Sequence, residues 1–210
     1  MRKGPNPNRR TTERFEAVWR IAVFTALIFI PDIARAHTGS LGEGVSAGFS
    51  QGFIHPLLGP DHVIAMVAVG LWGAILGLPS IWVLPIAFPL VMAMGGAVAV
   101  IGFPLAHVET GIALSGIILG LCVALALRLP AGIAAIMVGA FAVFHGYAHG
   151  IELPTAANPI AYSAGFVIAT GLLHLIGIVL GLLSRHPMGL VLVRMAGAGI
   201  ALGGAWYLAA

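Results

Sequence analysis

Nearly unbroken stretches of Ala, Val, Leu, Ile and Gly, close to 20 residues long, limit how this chain can fold more than any other feature. About 20 apolar residues are what a helix needs to cross the hydrocarbon of a bilayer. Every backbone N–H and C=O at that depth must be satisfied internally, which leaves helices or a closed barrel. A barrel would show short alternating strands and a polar lumen. The continuous runs seen here argue for an all-α, polytopic bundle. Composition agrees, because 60% hydrophobic and 8% charged residues with a mean hydropathy of +1.04 lie outside the range of a soluble domain.

The first 36 residues read as a leader rather than as fold. Arg2, Lys3, Arg9, Arg10, Arg14 and Arg20 precede an apolar core over residues 21–30, followed by Pro31 and the small-residue triplet Ala34-Arg35-Ala36. That is the pattern of a cleaved signal peptide. Its loss leaves three basic residues (Arg128, Arg185, Arg194) and four acidic ones (Glu43, Asp61, Glu109, Glu152). The sequence pI near 9.6 therefore belongs to the leader, and no nucleic-acid partner is expected. Cys122 is the only cysteine, so neither an intramolecular disulfide nor a thiolate metal cluster is available.

The mature chain, 37–210, reads as one six-helix membrane domain with spans near 45–78, 81–103, 108–127, 130–150, 159–183 and 187–208. The first is broken at Pro56-Leu57-Leu58-Gly59-Pro60. With the mature N-terminus outside, all three cations fall on the cytoplasmic side, as the positive-inside rule requires. Both mature termini then lie outside. Trp72, Trp82, Tyr147, Tyr162, Trp206 and Tyr207 are expected at the interfaces. The spacings Gly116/Gly120, Gly177/Gly181 and Gly199/Gly203 read as close intramolecular helix packing.

Two polar constellations interrupt this apolar background. Residues 55–62, HPLLGPDH, hold His55, Asp61 and His62 around a Pro/Gly break. Broken helices at membrane depth occur where backbone lines a cavity or binding site. Asp61 as a helix N-cap would explain the aspartate but neither histidine. Residues 144–152, FHGYAHGIE, place His145 and His149 at i,i+4, with Glu152 three residues later, on one helical face. Imidazoles and a carboxylate in that array suit a borderline divalent cation such as Ni²⁺, Co²⁺, Zn²⁺ or Cu²⁺.

The two motifs, His55-Pro56-x-x-Gly59-x-Asp61-His62 and Phe144-His145-Gly146-x-Ala148-His149-Gly150-x-Glu152, resemble the signatures of the HupE/UreJ family. These bacterial membrane proteins are associated with nickel hydrogenases and ureases and regarded as nickel permeases. The resemblance implies that His55, Asp61, His62, His149 and Glu152 bind or pass metal. It adds Glu109, at the start of the third span, and Phe88, between Pro85 and Pro89 in the second. Read from the residues alone, Glu109 suits a helix start beside His107, and Phe88 suits either core or a gate. His37 would be the first mature residue, able to chelate with its own α-amine. His174 lies mid-membrane as a relay or a packing residue, and His186 is a cytoplasmic loop residue or an exit ligand.

The expected function is a secondary permease taking up a divalent transition metal, Ni²⁺ or Co²⁺, to supply maturation of hydrogenase or urease. The metal is cargo rather than a prosthetic group. No P-loop is present for ATP hydrolysis. No H-E-x-x-H is present either, and the chain is not expected to be an enzyme. An intramembrane zinc-dependent hydrolase, and a metal sensor or chaperone without transport, are the competing readings.

Overall fold

The computed structural model describes residues 45–153 and 158–210. The expected leader, its cleavage site, His37 and Glu43 lie outside the described residues. Within them the fold is all-α: α1 (Val45–Leu58), α2 (Pro60–Leu76), α3 (Ser80–Val100), α4 (Val108–Ala124), α5 (Ala131–Ile151), α6 (Pro159–Gly181) and α7 (Pro187–Ala209). A short 3₁₀ turn over Leu182–Arg185 extends α6.

Proline and glycine set the boundaries. Pro60, Pro159 and Pro187 each open a helix, where a missing N–H costs nothing. Asn158 caps α6, its side-chain oxygen accepting from the N–H groups of Ile160 and Ala161. The expected first span is broken as its sequence suggests. Gly59 takes an extended conformation before Pro60, and α1 and α2 meet at 83°. Gly59, not Asp61, is the N-cap of α2; Asp61 sits in the first turn.

Four helices, α3, α5, α6 with its 3₁₀ turn, and α7, are long and apolar enough to cross a membrane, and the bent α1–α2 pair makes a fifth candidate. α4, with 17 residues, is shorter. Its expected end at 127 moves back to Ala124 because residues 125–127 close a Schellman turn. Ala126 adopts φ 49°, its N–H bonds to the Val123 carbonyl, and Leu127 N–H reaches Cys122. α3 ends in the same way at Val100 rather than 103, with Gly102 at φ 78°.

Three pairings hold the bundle together: α3 along α5, α4 along α7, and α6 against both α1 and α2. Small residues line each seam. A Cβ on Gly146 would land on the Met92 carbonyl, and one on Gly52 on the Tyr162 carbonyl. Gly116 and Gly120 face Gly204 and Ala201, and Gly177 and Gly181 face Gly70 and Leu71, as intramolecular packing requires. The third expected pair is corrected. Among the described residues nothing lies within 4 Å of a Cβ placed on Gly199, and the α7 face against α4 is carried by Gly197, Ala201 and Gly204.

Three aromatics expected at the interface are buried instead. Trp72 is fully enclosed and donates from Nε1 to the Leu127 carbonyl at 2.9 Å, satisfying the end of α4. Tyr147 accepts from the Leu105 N–H at 3.2 Å, and Tyr162 packs on His55 and Phe166. Trp82, Trp206 and Tyr207 are exposed. Arg194 Nε donates to the Ala124 carbonyl at 2.6 Å, another α4 C-terminal acceptor. The outer surface of the bundle is apolar, with Leu90, Met94, Ile136, Leu172 and Leu202 exposed, while its buried polar groups include His62, Ser115, His145, His149, Thr170 and His174.

Candidate metal pathway

The break at Gly59 and the C-terminal end of α5 bring the two motifs together. His55 at the end of α1, His62 in the first turn of α2, His145 and His149 on α5, and Glu152 just past it form one cluster. His55 lies 4.9 Å from His149 between ring centres, His149 lies 4.5 Å from His62, and His62 lies 4.8 Å from His145. Ligand atoms of His55, His149 and Glu152 all fall within 4.8 Å of one another, a spacing a single cation can bridge. Side-chain exposure falls along the series, from 54% at Glu152 and 33% at His55 to 8% at His149 and nothing at His145. The cluster thus runs from a mouth into the core.

Proton bookkeeping shows which nitrogens are free. His55 Nε2 donates to Glu152 Oε2 at 2.9 Å, leaving Nδ1 with its lone pair. His62 Nδ1 donates to Asp61 Oδ1 at 2.9 Å, leaving Nε2 buried and without a partner. Ser115 has one proton, and it goes to the Ile112 carbonyl at 2.6 Å. Its oxygen must therefore accept from His145 Nε2, 2.8 Å away. His145 is fixed as the Nε2–H tautomer, with Nδ1 unpartnered in the interior. Both nitrogens of His149 are unpartnered as well.

Unsatisfied buried polar atoms cost about 1–3 kcal/mol each. Neutral imidazole binds metal through such a lone pair, which makes this row of rings a candidate ligand set. Each carboxylate fixes one ring. Asp61 orients His62, and Glu152 holds His55 with His149 Nδ1 at 3.7 Å. The Glu152 carboxyl is held down to about 2 by His149 and, against the opposing pull of partial burial, by His55; it stays ionised at any physiological pH. Gly59 makes room for this arrangement, since a Cβ there would press on His62 Nδ1 at 3.0 Å and Asp61 Oδ1 at 3.1 Å.

Phe88 is wholly buried, its ring centre 5.5 Å from that of His145 and 5.4 Å from that of His174. Glu109 and His107, by contrast, are exposed at the start of α4, and among the described residues neither bonds to the cluster. They lie at the same end of the bundle. Leu105 is tied to Tyr147, and Gly111 packs under Phe144, next to His145. His186 caps α7 and is exposed. Sequence reading missed Ser115, Phe166 (4.2 Å from His149) and Thr170. The signal for the two hydroxyls was their position in otherwise apolar helices. A cavity of about 330 Å³ between α3, α5 and α6, lined by Met92, Gly96, Gly146, His149, Tyr162 and Phe166, opens beside the cluster.

An apolar-surfaced bundle of long apolar helices, with a row of imidazoles running inward from the exposed Glu152, defines a helical membrane protein. The family profile described as HupE / UreJ protein matches residues 25–207, and the chain belongs to that family. Protein HupE of Rhizobium leguminosarum bv. viciae is 46% identical over 189 residues, covering 90% of this chain and 97% of the relative. No solved structure matches the chain.

Proposed function

We propose that this protein is a secondary permease that carries a divalent transition-metal cation, Ni²⁺ foremost, from the periplasm into the cytoplasm to supply nickel-enzyme maturation. The observation that carries this reading is the meeting of His55, His149 and Glu152 within 4.8 Å, backed by further lone pairs on His62 and His145. Nitrogen donors with one or two carboxylates favour Ni²⁺, Co²⁺ and Zn²⁺ over Mg²⁺ or Ca²⁺. The choice of nickel among them rests on family membership, the HupE/UreJ family being associated with nickel transport for hydrogenases and ureases. In this reading the bent α1–α2 pair and α3–α7 make six crossings of the inner membrane. The mature termini and the mouth at Glu152 then face the periplasm. A negative-inside potential drives entry at about 2.3 kcal/mol per charge per 100 mV, roughly twice that for a divalent ion.

The ion would exchange hydration water for Glu152, His55 and His149, then pass to His62 and His145. Asp61 and Ser115 hold those last two rings with the required nitrogen unprotonated. Uptake of labelled Ni²⁺ into proteoliposomes, in competition with Co²⁺, Zn²⁺ and Mn²⁺, tests the reading. Unchanged nickel accumulation in His62→Ala, at normal protein level, overturns it. Ser115→Ala releases the His145 tautomer and is expected to weaken Ni²⁺ binding by about 10–100-fold, the usual effect of losing the partner that orients a ligand. Ser115→Thr keeps the hydroxyl and restores affinity, as equilibrium binding to purified protein will show.

A further inference from the structure

Beyond Phe88 the interior is polar again. His174 is only 1% exposed, and among the described residues neither of its ring nitrogens has a hydrogen-bond partner. Thr170, one turn away on the same face of α6, is fully buried with an unpartnered hydroxyl. The Pro85 carbonyl belongs to the turn of α3 that carries Phe88, whose ring centre lies 5.4 Å from that of His174. Pro89 explains why that carbonyl is available: a proline four residues on has no N–H to give it. The His174 and Thr170 groups are buried without hydrogen-bond partners among the described residues, and two such groups on successive turns need a reason.

α6 supplies the geometry. Tyr162, Phe166, Thr170 and His174 follow at intervals of four residues, about 6 Å of rise per step. The first two pack on His55, and Phe166 also packs on His149. The same stripe therefore continues past the outer cluster to His174. The Phe88 ring contacts both imidazoles, its centre 5.5 Å from His145 and 5.4 Å from His174 and its plane steeply inclined to each.

We propose that His174, Thr170 and the Pro85 carbonyl form a second station for the divalent cation, separated from the outer imidazole cluster by the Phe88 ring. One imidazole nitrogen with two neutral oxygens is a weaker donor set than the outer one. It takes the ion without trapping it, as stepwise conduction needs. Phe88 is the apolar constriction between the stations, and Pro85 and Pro89 hold it on a helix face with a freed acceptor next to it. The inference rests on the metal-permease reading.

The test uses the full chain in liposomes, with Ni²⁺ uptake and equilibrium Ni²⁺ binding measured on the same preparations. His174→Ala is expected to slow uptake about tenfold or more, the scale of losing a metal-positioning group. Binding at the outer cluster should stay within about twofold, because the sites are separate. His174→Cys supplies a soft thiolate and should raise Cd²⁺ uptake relative to Ni²⁺ by about fivefold or more; a packing role would leave that ratio unmoved. Thr170→Val, nearly isosteric, gives a smaller loss of uptake and serves if His174→Ala does not fold. Wild-type uptake in His174→Ala or in Thr170→Val, or an unmoved Cd²⁺/Ni²⁺ ratio in His174→Cys, overturns the second station while His149→Ala still abolishes binding. Intact Ni²⁺ binding in His149→Ala overturns the permease reading itself, and the station with it.

Discussion

Replacing His149 with alanine should lower Ni²⁺ affinity by at least about a hundredfold and abolish accumulation. His149 is the joint of the cluster. It shares a ligand triangle with His55 and Glu152, and its ring lies 4.5 Å from His62. Losing a group that merely orients a ligand costs 10–100-fold, so losing the ligand at the junction sets that range as a floor, about 2.8 kcal/mol. The fold should survive, because His149 makes no hydrogen bond that packing depends on; Glu152 stands 3.7 Å away. Removing a buried group without a partner avoids the penalty of leaving one behind. Isothermal titration of purified protein measures the affinity. An affinity within about threefold of wild type would place the metal elsewhere in the molecule.

The largest effect on stability should come from Gly146→Ala. Its Cβ meets the Met92 backbone carbonyl, with the Met92 Cα close behind, and neither can move aside as a side chain would. α3 and α5 must separate along their whole contact. Overpacking of this kind costs about 1–3 kcal/mol and sometimes more. In a chain of this length that is a fall of roughly 2–12 °C in melting temperature. The same substitution at Gly199, which has open space around it, should be neutral or slightly stabilising through helix propensity. Thermal unfolding of the two variants in one detergent makes the comparison. Equal melting temperatures would mean that the α3–α5 contact tolerates more space than its geometry indicates. Because His145 and His149 flank Gly146, the variant should lose metal binding along with stability.

Much of the site was legible because its residues are costly where they stand. His55, His62, His145 and His149 break apolar runs, and hydrocarbon tolerates such groups only for a purpose. Pro60 after Gly59 announced the break, and prolines at 159 and 187 fixed two helix starts to the residue. What escaped depends on neighbours distant along the chain. Nothing near Ser115 says that His145 will present a nitrogen to it from 30 residues away. Trp72 looks like an interface aromatic until the Leu127 carbonyl is seen to need its N–H. The two Schellman endings were missed for different reasons. Gly102 is the usual residue for one, but Ala126 at φ 49° gives no hint in sequence. Glu109 joined the expected ligands through family resemblance, and it stands apart from the cluster, exposed on α4.

The 83° bend at Gly59 also has an electrical side. Interrupting a helix inside the bundle creates two new ends, each carrying roughly half an elementary charge. The carboxyl end of α1, which bears His55, is a negative pole and attracts a cation before any side chain touches it. The amino end of α2 is a positive pole, and Asp61 sits in its first turn, where a carboxylate is favoured and the pole is offset. A single kink thus gives the entrance a share of negative potential that needs no further acidic residue in the hydrocarbon.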